Sequence, residues 1–195
     1  MRQPRPKHAE WRALNAARRC GAATSGPLYV EAGKDNALYL LSRRDAPRGK
    51  ILRMPLDAPD LAKATVILPQ GTNAIRSFKP SASGLGVVLL DGGLSQFHFI
   101  DFGTLRWHSP KLGEGLAVPG SHGRPVMAVP EMVVAGGDQF LLRVESFLAP
   151  YAWWQFEAGR DDTVAATPLH GTAPSEFGDV EVLRPSVPSA DGTRV

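Results

Sequence analysis

The nearest approach to a catalytic set in this 195-residue sequence is Ser95, His98 and Asp101, which follow one another at intervals of three. A serine nucleophile needs a histidine that accepts its proton and a carboxylate that orients the imidazole. The residues around the three are typical of a strand, and side chains alternate between the two faces of a strand. Ser95 and Asp101 therefore share one face and His98 takes the other, so we predict a packed strand histidine and no triad.

The sequence matches no other catalytic or metal-binding pattern. No serine has glycine two positions before it and two positions after it, which is the nucleophile elbow of α/β-hydrolases. With the single cysteine Cys20 the chain can form neither an internal disulfide nor a cysteine zinc site. The histidines lack the two-to-five-residue spacing of zinc ligands: they are His8, His98, His108, His122 and His170. We predict no catalytic, cofactor-binding or metal site.

Three further groups have a structural interpretation that is simpler than a functional one. Asp161 and Asp162 lie in a polar stretch and are predicted to form a solvated turn, not an acid/base pair. Trp153 and Trp154 must face opposite ways on a strand, one in the core and one partly exposed, which is the nearest hint of a binding surface. Four glycines lack the helix and the Lys-Ser/Thr pair of a phosphate-binding loop and are predicted to serve hairpins: Gly84, Gly86, Gly92 and Gly93.

The composition favours many turns between short strands, because the 20 glycines and 17 prolines exceed average usage. Residues 1–20 hold six basic side chains against Glu10 alone, so the rest of the chain is slightly acidic despite the net charge of +3. We interpret this arm as a solvated tail, with no nucleic-acid contact. Arg18 and Arg19 interrupt any signal peptide, and no apolar run approaches the roughly 20 residues that cross a bilayer. We expect a cytoplasmic protein without a membrane segment.

Three segments of the sequence repeat one plan, in which a strand, a polar turn and a second strand are followed by an acidic residue. They begin at Ala37, Val87 and Phe140, at steps of 50 and 53 residues, as in a repeat built on one four-stranded blade. Possible inner strands precede them at residues 28–31, 74–78 and 126–133, and possible outer strands follow at 65–68, 106–109 and 164–167. The predicted fold is all-β, a partial β-propeller of about three four-stranded blades at residues 27–180, after a short disordered or helical arm at residues 1–26. A β-sandwich of about ten strands is the alternative.

Three blades are too few to close a propeller, since propellers have four to eight. An open array leaves two terminal faces uncovered and strand edges unpaired. We therefore expect a fragment, or a module that another chain completes, and we expect the isolated chain to self-associate.

Three stretches of the chain carry a family likeness. They are Asp45-Ala46-Pro47-Arg48-Gly49-Lys50-Ile51 with Leu56 and Asp57, the Ser146-Phe147-Leu148-Ala149-Pro150 turn, and residues 178–195 with their ending Pro188-Ser189-Ala190-Asp191-Gly192-Thr193-Arg194-Val195. These stretches resemble the propeller of the prolyl oligopeptidase family of serine peptidases, and together the likeness covers residues 27–195. One departure is a Trp153-Trp154-Gln155-Phe156-Glu157 strand where relatives have a Tyr-rich strand followed by Asp.

The resemblance implies a seven-bladed propeller that caps an α/β-hydrolase domain. This chain would hold roughly the last three blades, and residues 181–195 would lead toward the hydrolase domain, whose serine, acid and histidine would all follow Val195. The implied activity is hydrolysis of short proline-containing peptides, with the propeller gating access and no catalysis by this chain alone. The implied partners are the remaining blades, the hydrolase domain and short peptides. The residues themselves leave two alternatives: a free-standing β-sheet interaction module, or an enzyme with an unrecognised site.

Overall fold

The computed structural model of the chain describes residues 29–91, 94–112, 128–145, 150–160, 163–172 and 187–192. The predicted arm at residues 1–26 lies outside these ranges, as do residues 181–186 and 193–195 of the closing segment. The described part of the chain is built of strands, with one 3₁₀ turn at Leu61–Lys63, which confirms the predicted all-β fold. None of its helical turns is long and apolar enough to cross a membrane.

The strands form three sheets, each with four antiparallel strands that follow one another in the chain, as in consecutive propeller blades. Blade 1 consists of β1 (Tyr29–Ala32), β2 (Ala37–Ser42), β3 (Lys50–Pro55) and β4 (Thr65–Leu68). Blade 2 consists of β5 (Ala74–Pro80), β6 (Gly84–Asp91), β7 (Leu94–Asp101) and β8 (Trp107–His108). Blade 3 consists of β10 (Ala128–Gly136), β11 (Gln139–Glu145), β12 (Ala152–Glu157) and β13 (Thr163–His170).

One additional strand, β9, departs from the predicted plan of four strands in each blade. β9 (Lys111–Leu112) follows blade 2 in the sequence but pairs with β13, in parallel, at the outer edge of blade 3. β8 is consequently only two residues long, because the chain leaves blade 2 after His108. The third sheet therefore has five strands, and blades 2 and 3 are joined by the backbone at their outer edge.

Alternating apolar residues build a core layer between each pair of neighbouring blades. Between blades 1 and 2 the buried residues include Tyr39, Ile51, Phe78 and Val87. Between blades 2 and 3 the ring of Phe140 packs against those of Phe97, Phe99 and Phe156, with centroids 5.6 to 6.2 Å apart. This layered packing is what aligns the first strands of the three blades side by side.

The Asp45-to-Ile51 stretch, one of those that carry the family resemblance, forms the turn between β2 and β3. Asp45 and Gly49 both have positive φ, at 55° and 94°, and Gly49 N donates to Ala46 O at 2.7 Å. The turn also contacts the next blade, since Ile75 N donates to Arg48 O at 2.8 Å. A Cβ at Gly49 would lie 3.3 Å from Ile75 Cβ, so glycine also serves the close approach of blades 1 and 2.

Asp138 joins blade 3 to blade 2 through side-chain hydrogen bonds. Its Oδ1 accepts from Ser81 Oγ and from Ser83 N, both at 2.7 Å, across a sequence separation of more than 50 residues. Burial by itself would raise the pKa of Asp138, but the donors from Ser81 and Ser83 outweigh it and the pKa lies below its ordinary value. The charged carboxylate therefore holds the two hairpins together.

The two end faces of the array differ from each other. On blade 1, the side chains turned away from blade 2 are apolar and already buried, namely Leu38, Leu40, Leu52 and Met54. The sequence-based expectation of two uncovered faces is therefore wrong for blade 1. On blade 3, the face turned away from blade 2 is partly exposed and mixes polar with apolar side chains: Arg143 forms an ion pair with Glu145 at 3.4 Å and lies 4.9 Å from the ring centroid of Tyr151, and Val133 is 40% exposed.

Candidate functional site

Ser95, His98 and Asp101 lie on β7, as predicted, and do not come together as a triad. The pairing of β6 with β7 runs without a bulge from Asp101 to Leu94, so the alternation of faces is regular. Ser95 is 3% exposed and packs toward blade 3. His98 therefore lies on the opposite face of β7, where its ring meets Trp107 edge-on with 5.3 Å between centroids.

His98 does contact a serine, but it is one that the sequence analysis did not single out. Its Nδ1 lies 2.9 Å from Ser109 Oγ, and its Nε2 lies 3.4 Å from Gln96 Oε1, where a triad would have a carboxylate. Burial lowers the pKa of His98, which keeps the imidazole neutral near pH 7. The pair is a Ser-His contact without an acid partner. Only the pairing of β7 with β8 places Ser109 opposite His98, and no sequence pattern signals it.

Asp101 serves the turn that follows β7. Its Oδ1 accepts from Thr104 N at 2.7 Å and from Thr104 Oγ1 at 2.8 Å. These two donors lower the pKa of the exposed carboxyl below its ordinary value. Asp101 is thus a turn residue, as the acidic position at the end of each predicted hairpin suggests.

The remaining predicted positions can be checked where they are described. Trp154 is buried in the core between blades 2 and 3, and Trp153 is partly exposed, as predicted. Gly84 and Gly86 lie in β6 and allow close approach rather than a turn, since a Cβ at Gly86 would lie 2.5 Å from Phe140 Cε1. Within the described ranges no three His, Cys, Asp or Glu side chains group as metal ligands do. Other positions lie outside the described residues: His8, Cys20, Gly92, Gly93, His122, Asp161 and Asp162.

The inner strands of the three blades, β1, β5 and β10, line a common groove of about 560 Å³. We call it the inner-strand groove. Each blade contributes polar side chains to it at alternate positions: Tyr29 and Glu31 from blade 1, Ser77 and Lys79 from blade 2, and Glu131 from blade 3. No sequence pattern groups these residues, because they lie up to 102 positions apart and meet only when the blades stack.

One ion pair dominates the electrostatics of the inner-strand groove. Lys79 Nζ lies 2.6 Å from Glu31 Oε1, which also accepts from Tyr29 Oη at 2.5 Å. Burial alone would lower the pKa of Lys79, but the hydrogen bond and the charge of Glu31 raise it above its ordinary value. Burial, together with the neighbouring Glu31, raises the pKa of Tyr29. The groove thus presents the ammonium of Lys79, the phenol of Tyr29 and, besides that of Glu31, the carboxylate of Glu131. These groups can bind polar ligands.

Comparison with known proteins identifies the fold. No family model matches the chain, and neither does any curated protein sequence. Among solved structures, one from a study of the structure, mechanism and inter-domain dynamics of two prolyl endopeptidases matches 86% of this chain with a TM-score of 0.65 and 18% identity. The fold is that of part of a prolyl oligopeptidase. Oligopeptidase B from Trypanosoma brucei, with covalently bound antipain, and oligopeptidase B from Leishmania major match with TM-scores of 0.62 and 0.63 and identities of 17% and 16%.

The matches cover most of this chain but only part of each solved structure. This chain spans 23% of the first of those chains and 24% of each of the other two. The resemblance noted in the sequence is therefore confirmed as a likeness of fold, over the blades that the structure describes.

Proposed function

We propose that this chain acts as the propeller portion of a peptidase of the prolyl oligopeptidase kind, where it guides short peptides and does not itself cleave them. The observation that carries the proposal is the inner-strand groove, in a fold shared with prolyl endopeptidases and oligopeptidase B. An extended peptide carries unpaired backbone donors and acceptors along its whole length. The carboxylates, ammonium and hydroxyls of the groove are suitable partners for them.

The contribution of such a groove to hydrolysis is access and orientation. Lys79 is held by Glu31 in one position, so it can contact a passing carbonyl without first losing side-chain freedom. Positioning of this kind lowers the entropic part of a reaction barrier, whereas nucleophile and oxyanion donors lower its chemical part. In this proposal the nucleophile and the oxyanion donors belong to a hydrolase domain and not to these blades.

The test uses the purified full-length chain and two measurements. A fluorophosphonate probe and a proline-containing reporter peptide should give no labelled serine and no cleavage. In a ¹⁵N NMR titration, an uncharged proline-containing hexapeptide should shift amide signals of β1, β5 and β10. Lys79→Met should weaken these shifts, while the matched control Lys63→Met, at an exposed position, should leave them unchanged.

Two results would contradict the proposal. Stoichiometric labelling of any serine would assign catalysis to the chain itself. Peptide-induced shifts that avoid all three inner strands would remove the groove from the function.

A second candidate, a free-standing interaction module, is favoured by the far face of blade 3. Val133 and Tyr151 are about 40% exposed there, beside the partly exposed Trp153. The same surface supports the proposal that the chain self-associates, since the far face of blade 1 is already buried. Light scattering over a concentration series tests self-association. A mass that grows with concentration, and grows less in Tyr151→Ser, supports association through blade 3. A monomer of 21.0 kDa at every concentration contradicts it.

A further inference from the structure

The outer edges of the three blades are not alike. In blade 3 the edge of β13 is covered, because β9 pairs with it in parallel. In blade 2 the outer strand β8 is only two residues long. In blade 1 the outer strand β4 has four residues and pairs with β3 alone among the described strands. The edge of β4 is therefore free at the position where blade 3 takes an added strand.

β4 also lacks the features that usually protect a free edge. Proteins blunt such edges with charged residues or proline, whereas β4 consists of Thr65, Val66, Ile67 and Leu68. Val66 is 52% exposed. The pairing of β4 with β3 has one register irregularity, but β13 has one in its pairing with β12 and still accepts β9. The edge is thus suited to pair with a further strand.

A pocket of about 190 Å³ lies at the end of β4, between the outer parts of blades 1 and 2. We call it the outer-rim pocket. Its apolar walls include Leu68 of β4, Leu89 of β6 and Trp107 of β8, and Trp107 is 45% exposed. A strand added beside β4 would turn alternate side chains toward blade 2, where the pocket can receive one apolar side chain. Strand addition of this kind gains affinity from the backbone and specificity from side-chain pockets.

The border of the outer-rim pocket is positively charged. Arg106 precedes Trp107, Arg76 follows Ile75, and Arg48 O accepts from Ile75 N at 2.8 Å. All three arginines are exposed, and none forms an ion pair with a carboxylate in the described ranges. The carboxylates on neighbouring turns each accept a hydrogen bond from another side chain: they are Asp91 and Asp101. The border therefore favours a ligand that carries negative charge.

This charge argues against two occupants that the chain itself could supply. A second copy that paired through its own β4 would bring the arginines of both copies together. The segment at residues 1–20, with six basic side chains against Glu10, would add further positive charge. Like charges that face each other across paired strands are destabilising. An acidic segment from another protein gains the opposite, favourable interaction.

We propose that the outer edge of blade 1 binds an extended acidic segment of a partner protein, which adds a fifth strand beside β4. One apolar side chain of the segment occupies the outer-rim pocket against Trp107, and its carboxylates lie near Arg48 and Arg106. The surface is separate from the inner-strand groove, with which it shares no lining residue. The two proposals therefore fail independently, since one predicts shifts in β4 and the other in β1, β5 and β10.

The test uses blocked heptapeptides and the ¹⁵N-labelled full-length chain. The acidic probe is Glu-Val-Glu-Leu-Glu-Val-Glu, and the neutral probe has Gln in place of each Glu. The acidic probe should shift the amide signals of β4 and the indole signal of Trp107. The neutral probe should bind roughly threefold more weakly or less tightly still, since each exposed charge pair contributes about 0.2–1 kcal/mol.

Backbone pairing is tested with two N-methylated forms of the acidic probe. One form is methylated at the odd positions and the other at the even positions, so that each form has one blocked edge. The form whose blocked edge faces β4 should lose binding, and the other should retain it. Equal binding of the two forms would show that no strand is added.

Three variants test the side chains. Arg106→Gln should weaken the acidic probe roughly 1.4-fold to 5-fold and leave the neutral probe unchanged, because only a charge pair is lost. The matched control Arg160→Gln, an exposed position in blade 3, should change neither affinity. Trp107→Leu should weaken both probes, because the pocket loses part of its aromatic wall.

Several outcomes overturn the proposal. If no probe shifts β4, or if the acidic and neutral probes bind equally, the edge does not select an acidic strand. If every amide of β4 resists hydrogen exchange in the peptide-free chain, the edge is already paired. Resistance at all concentrations would assign the edge to the chain's own residues, and resistance only at high concentration would assign it to a second copy.

Discussion

Replacing Gly86 with alanine tests the contact between blades 2 and 3 directly. An added Cβ would lie 2.5 and 2.9 Å from two ring carbons of Phe140 and 3.1 Å from Met132 Sδ. Ordinary contact begins at 3.4 Å, so the ring or the blade must move by about 0.9 Å. Phe140 is fully buried and enclosed by three other aromatic rings, which leaves it no free direction.

The expected size of the effect combines two opposing contributions. Overpacking of a dense core costs about 1–3 kcal/mol. Gly→Ala also removes freedom from the unfolded chain, which stabilises by about 0.4–1 kcal/mol where φ is acceptable, as it is at Gly86. We expect the free energy of unfolding to fall by about 1–2 kcal/mol, or Tm by about 2–8 °C for a domain of this size.

The assay is urea unfolding, with a control and a compensating variant. Gly71→Ala meets no atom within 4 Å and should leave stability equal or slightly higher. Phe140→Leu in the Gly86→Ala background should recover part of the loss, giving a coupling energy of about 0.5–3 kcal/mol between the two positions. If Gly86→Ala behaves like Gly71→Ala, blades 2 and 3 are not packed as described.

Three further predictions concern the hydrogen bonds and protonation of side chains. Asp138→Ala should lower the free energy of unfolding by about 1–3 kcal/mol, because two donors lose their acceptor, and Asp138→Asn should lower it less. The control Asp91→Ala, at the exposed end of β6, should lower it by less than about 0.5 kcal/mol. Since the folded pKa of Asp138 lies below its unfolded value, its stabilisation is present above about pH 4 and is lost in acid, and Asp138→Asn should flatten that decline in urea midpoints. His98 is a base, but protonation of its side chain also favours the unfolded state, because burial lowers its pKa in the folded state. Unfolding midpoints should therefore fall as the pH drops through about 6.5, and His98→Gln should abolish this part of the pH dependence. A midpoint that is flat between pH 8 and pH 5 in the unmodified chain would contradict the burial of His98.

Local sequence patterns predicted the strands because each is short, apolar on alternate positions and bounded by turn residues. The outer strand expected at residues 65–68 is β4 itself, and the hairpin beginning at Ala37 is β2 followed by β3. The repeat steps of 50 and 53 residues predicted three consecutive blades, since one blade is one unit of the pattern. Pro130 lies in the third inner strand expected at residues 126–133, where it can donate no backbone hydrogen bond, and β10 has a register irregularity between Ala128 and Glu131.

Contacts between distant parts of the chain could not be predicted in this way. The contacts of Asp138 with Ser81, of Lys79 with Glu31 and of His98 with Ser109 depend on stacking or pairing of elements whose relative register no local pattern determines. The inner-strand groove was missed for the same reason, because it exists only where three blades converge. The face of blade 1 turned away from blade 2 was expected to be bare because only neighbouring blades were considered as its cover.

The crossing of β9 has a consequence for how the polypeptide can be divided. Residues 69–73, between blades 1 and 2, contain no strand, so a division there separates two intact sheets. Between blades 2 and 3 the corresponding point is at residues 109–110, since a division after residue 112 would remove β9 from the sheet that it completes and leave β13 with a bare edge. The sequence repeat and the structural unit are thus out of phase, and the second repeat already carries the edge of the third blade.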